Sequence, residues 1–99
     1  MGDRQLAGIV VHGFLEDAPT QLSRLRERLD EEDADGFRSQ AHTLRGASAT
    51  VAADGLRAIA EAMELAGKAG QLDQCAELLP RAVQEFQLYK STLERAGWV

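Results

Sequence analysis

Aromatic residues are scarce in this 99-residue chain, at 5%, so any core has to be built from aliphatic side chains. Cysteine is nearly absent. The single one, Cys75, excludes an internal disulfide and reads as a small apolar core residue. Only two prolines are present, and with 44% hydrophobic and 27% charged residues the composition is globular and not disordered. Basic residues are outnumbered, 11 against 16 acidic, for a formal net charge of -5. That sign repels nucleic-acid phosphates and anionic lipid, so neither nucleic acid nor direct membrane contact is expected. Long apolar runs are missing as well: nothing approaches the roughly 20 residues of a spanning helix, and Ile9 to Val11 is too short for a signal-peptide core. A cytoplasmic location is expected. His12, His42 and Cys75 lack the spacing of metal ligands, and there is no glycine-rich nucleotide loop. No metal and no cofactor is expected.

What remains is helix. Ala, Leu, Glu, Arg and Gln dominate, and no alternating run bounded by turn residues suggests a strand. The expected fold is all-α, one domain over residues 1–99, arranged as an up-and-down antiparallel four-helix bundle with a short additional N-terminal helix. Leu6, Ile9, Val10, Gly13 and Phe14 recur at helical spacing up to Asp17, where Ala18-Pro19 fits the first turn of a new helix. Leu22, Leu25 and Leu29 form its stripe, and the acidic run from Asp30 to Asp35, closing at Gly36, reads as a solvated connection. A further helix carries Phe37, Ala41, Leu44, Ser48 and Val51. The next, with Asp54 as its expected cap, carries Leu56, Ile59, Ala60, Met63 and Ala66 and stops at Gly67 to Gly70. The last, from Leu72 to about Arg95, contains Pro80, which is expected to kink or divide it.

One helix face carries chemistry. At about 100° per residue, Phe37, Ala41, Leu44, Ser48 and Val51 share an arc of about 80°, and His42 lies about 140° from its centre. The imidazole is therefore expected in solvent. Arg45 and Gly46 are its neighbours at i+3 and i+4, Arg38 lies one turn before it, and Ala49 and Ala53 lie farther along. The expected surface is smooth and basic. A glycine inside a helix costs about 0.5–1 kcal/mol relative to alanine. Gly46 is either a tolerated defect or room left for a partner's edge. A neutral imidazole is a competent nucleophile near neutral pH, and a phosphoryl group on it would add roughly -1.5 to -2 charges for Arg45 to offset.

The stretch Phe37-Arg38-Ser39-Gln40-Ala41-His42-Thr43-Leu44-Arg45-Gly46-Ala47-Ser48-Ala49 resembles the signature of histidine-containing phosphotransfer (HPt) domains of bacterial multistep phosphorelays, Ala-His-x-Leu-Lys-Gly. Phe14 to Pro19 with Leu22, Leu25 and Leu29, and Leu56 through Glu64, resemble further parts of the family, so the likeness spans nearly the whole chain. The resemblance implies that His42 is the phosphoacceptor, that Arg45 assists the phosphoryl group where the family usually has lysine, and that Gly46 gives partners access. It also implies that Glu64 orients the imidazole. Arg38, Ala49 and Ala53 are the expected docking residues, and the implied partners are response-regulator receiver domains exchanging phosphoryl groups through their aspartates. The implied carrier is a monomer, free-standing or part of a hybrid sensor kinase, with no kinase motif of its own. Two alternatives stay open: the phosphoacceptor domain of a chemotaxis-type histidine kinase, and a helical interaction module without chemistry. Ala52 departs from the family, which often has glycine there, and Gly55 is expected to take over that flexible role.

Overall fold

The computed structural model describes residues 3–99, and among them every regular element is a helix. There are four: α1 (Asp3–Asp30), α2 (Ala34–Thr50), α3 (Asp54–Lys68) and α4 (Leu72–Arg95). Helix α1 packs on α2 and α4, and α3 packs on α2 and α4, so the four enclose one core. That core is aliphatic with three phenylalanines among its side chains: Phe14, Leu22, Leu25, Phe37, Leu44, Leu56, Met63, Leu79 and Phe86 are all buried. Cys75 is fully buried within it.

The boundary expected at Ala18-Pro19 is not there, and the short extra N-terminal helix merges with the next into the 28-residue α1. Proline inside a helix costs about 3 kcal/mol. An unbroken helix, however, keeps Phe14, Ala18, Leu22 and Leu25 on one buried line, and each large side chain buried there returns about 1.5–3 kcal/mol. Pro19 is itself exposed. Pro80 likewise fails to divide α4: it is exposed, as is Ala76 one turn before it, so water can reach the carbonyl that proline leaves without a donor. The first turns of α1 differ from expectation too. Leu6, Ile9 and Val10 are exposed and Val11 is buried, and His12 is in solvent rather than partly packed.

All four helices end the same way, on a left-handed residue that lets the following amide reach back to the last turn. Those residues are Glu32, Ala52, Gly70 and Gly97. The returning bonds are Asp33 N–H to Arg28 O at 2.8 Å, Ala53 to Ser48 at 2.9 Å, Gln71 to Ala66 at 3.0 Å and Trp98 to Leu93 at 2.9 Å. The acidic connection is shorter than expected. Only residues 31–33 lie outside helices, and Asp33 caps α2 by accepting from the Gly36 amide at 2.8 Å. At α3 the cap position belongs to Ala53, with no side-chain cap bond, and Asp54 is the first helical residue. The turn residue with positive φ is Ala52, at 54°, and Gly55, expected to take over the flexible role, lies inside α3.

Candidate functional site

Helix α2 divides as its periodicity requires: Phe37, Ala41, Leu44 and Ser48 are buried, the Ser48 hydroxyl donating to Leu44 O at 2.7 Å, and Val51 is half-buried. His42 stands on the opposite side, its side chain 59% exposed. Arg45, Gly46 and Ala49 share its surface, and Arg38 lies half-buried one turn before. A Cβ on Gly46 would meet nothing within 4 Å. No contact inside the protein therefore asks for glycine there. Ala53 does not belong to this surface. It is 2% exposed, because α2 ends at Thr50 and the left-handed Ala52 turns the chain inward, so helical spacing stops applying before residue 53.

Glu64 reaches the site from α3. Ala60, Met63 and Ala66 turn into the core, which leaves Glu64 at the edge facing α2, its side chain 19% exposed. Its Oε2 lies 3.0 Å from His42 Nδ1 and its Oε1 3.3 Å from Arg45 Nε. Arg45 Nη2 also approaches His42 Nδ1, at 3.2 Å. One ring nitrogen cannot donate to the carboxylate and accept from the guanidinium at once. The carboxylate wins: it can only accept and so needs a donor, whereas the guanidinium has other donors and partners, and the carboxylate contact is the shorter of the two. The proton then sits on Nδ1, and Nε2 is left with its lone pair. Arg45 is held by Glu64 as an ion pair without an aligned hydrogen bond at Oε1.

The expected residues His42, Arg45 and Glu64 thus meet within 3.3 Å of one another, with Gly46 and Ala49 beside them and Ala53 removed. The surface is less basic than the helix alone implies, since Glu64 brings a compensating charge. The helix stop expected at Gly67 to Gly70 is there, α3 ending at Lys68 before the left-handed Gly70, but Gly67 has a second role. Gly67 is buried inside α3, and a Cβ on it would lie 3.0 Å from the N, Cα and Cβ of Arg38. The sequence signal was a glycine continuing the stripe of Met63 and Ala66. Residues 38 and 42 of α2 meet 67 and 64 of α3, so these two helices run in opposite directions.

Among the described residues, no group of three or more His, Cys, Asp or Glu side chains is gathered to hold a metal, and no helix is long and apolar enough to cross a membrane. No curated protein and no solved structure matches the chain. The family model described as the Hpt domain matches residues 10–96. That span takes in all of the site and most of every helix, and the chain therefore belongs to the Hpt domain family, whose members carry out phosphotransfer in phosphorelays by interacting with response regulators.

Proposed function

We propose that the chain relays a phosphoryl group between receiver-domain aspartates through Nε2 of His42. The observation that supports this most is the exposed imidazole whose Nδ1 faces Glu64 at 3.0 Å, leaving Nε2 unprotonated toward solvent. The Nε2 lone pair attacks the phosphorus of an aspartyl phosphate; the P–N bond forms as the P–O bond to the aspartate carboxylate breaks. The ring keeps its Nδ1 proton and becomes a phosphorylated imidazolium, whose positive charge the Glu64 carboxylate stabilises. Onward transfer reverses these bonds with a second aspartate. Arg45, one turn away, offsets the incoming phosphoryl charge. Gly46 and Ala49 leave room for the receiver's edge, and Arg38 contributes to docking.

The reading extends to a single domain over residues 1–99, acting as a monomer in the cytoplasm, either alone or within a hybrid sensor kinase. The four helices alternate up and down, as connections confined to residues 31–33, 51–53 and 69–71 favour. The test is incubation with a phosphorylated receiver domain. Wild type takes up acid-labile, base-stable label, and His42→Gln takes up none while melting within about 0.5 kcal/mol of wild type. Label that persists in His42→Gln, or survives acid, sinks the assignment.

A further inference from the structure

We infer that Gly67 is a positioning residue: the backbone approach it permits between α3 and α2 holds Glu64 within hydrogen-bonding distance of His42 and so selects the reactive tautomer of the ring. This rests on the reading of His42 as phosphoacceptor. Gly67 has no conformational need to be glycine, since its φ is not positive, and inside a helix glycine is penalised against alanine. It is distinguished by what opposes it. Around Gly36 a Cβ would meet only side-chain atoms of Asp33 and Arg28, around Gly55 only the carboxylate end of Glu85, and around Gly46 nothing. At Gly67 it would lie 3.0 Å from three atoms of Arg38, two of them backbone. A helix backbone cannot rotate away as a side chain does, so the two helices would have to part.

The contact lies where parting them matters. Arg38 is one turn before His42 on α2, and Gly67 is one turn after Glu64 on α3, so the glycine and the His42–Glu64 bond are successive rungs between the same two helices. Ordinary carbon contact begins near 3.4 Å, so a Cβ moves the helices apart by some tenths of an ångström at the neighbouring rung. A bond of 3.0 Å stretched by that amount leaves the range of about 2.7–3.2 Å in which N–H···O hydrogen bonds lie. Imidazole released to water favours the proton on Nε2, the nitrogen that has to be free for attack. Gly67 therefore acts on the chemistry through Glu64, without touching the ring.

The experiment is Gly67→Ala in the full chain, with ¹⁵N imidazole spectra recorded at about pH 8.5, above the reference imidazole range, beside labelling by acetyl phosphate, which needs no docked receiver. The expected result is a His42 signal shifted toward the Nε2–H tautomer and labelling slowed about three- to tenfold, with helicity retained. Adding Arg38→Gly, which removes the opposing Cβ, should move the tautomer ratio part of the way back. A Gly67→Ala protein with the wild-type tautomer ratio overturns the proposal, as does a double variant no closer to wild type than the single. Should Gly67→Ala fail to fold, the double variant carries the test, and a wild-type ratio in it overturns the proposal. Wild-type protein that takes no label from a phosphorylated receiver domain refutes the phosphoacceptor reading instead, and leaves the tautomer comparison valid.

Discussion

Gly46 is the position where stability and transfer should move in opposite directions. Glycine within a helix is about 0.8–1 kcal/mol poorer than alanine, and glutamine only a few tenths poorer, so Gly46→Gln should gain about 0.5–0.8 kcal/mol. Nothing subtracts from that, because a Cβ there meets no atom within 4 Å and the position is exposed. In a domain of this size the gain corresponds to a rise in Tm of about 2–6 °C. The same side chain stands one turn from His42, on the surface where a receiver's aspartyl phosphate has to come into line with Nε2. A misplacement of about 1 Å is enough to cost about 100-fold in rate, and a glutamine is several times longer than that. Melting curves and receiver-to-domain transfer kinetics on the same preparation read both effects, and acetyl phosphate, which needs no docking surface, should label the variant normally. A Gly46→Gln protein that is less stable yet transfers at the wild-type rate refutes the reasoning, since the glycine would then serve folding and not access.

Glu64→Gln keeps an acceptor for the Nδ1 proton but removes the charge, and the difference between a charged and a neutral hydrogen bond is about 1–1.5 kcal/mol. Labelling by a small donor should therefore slow about tenfold, and an unchanged rate removes Glu64 from the mechanism. Ala52 holds φ at 54°, which costs a residue bearing a Cβ about 1–2 kcal/mol; after the entropy that glycine adds to the unfolded chain, Ala52→Gly should stabilise by about 0.5–1 kcal/mol in a denaturant titration, and a loss of stability contradicts that account of the turn. The Tyr89 hydroxyl donates to Val51 O at 2.8 Å, so Tyr89→Phe should lose about 1 kcal/mol without slowing transfer. Burial raises the Tyr89 phenol above its ordinary value of 10.0, so the fold favours the neutral form. Its stabilisation is complete below about pH 10 and is lost as pH rises through the folded value. Tyr89→Phe should flatten that alkaline loss, leaving the part due to the Cys75 thiol, which burial raises in the same direction; an identical alkaline profile in the variant counts against it.

The helical class and the orientation of α2 were determined by the sequence alone, because both are local. A buried stripe of Phe37, Ala41, Leu44 and Ser48 admits one rotation of the helix about its axis, and that rotation puts His42 in water whatever the rest of the chain does. Arg45 and Gly46 follow at fixed angles. The continuity of α1 through Pro19 was not legible, since proline's local cost is visible in sequence whereas the burial that outweighs it depends on partners elsewhere. Ala53 was misplaced on the surface for a related reason: helical spacing says nothing past the residue where the helix ends, and that end is a left-handed alanine with no glycine to announce it. Glu64 and His42 are 22 residues apart, and no periodicity links them; the resemblance to a family suggested the pairing, but its 3.0 Å length depends on how closely α3 lies against α2. That closeness was decided only in the tertiary structure, where the absent side chain of Gly67 meets the backbone of Arg38, two atoms' worth of space that a one-dimensional pattern reads as the end of a helix.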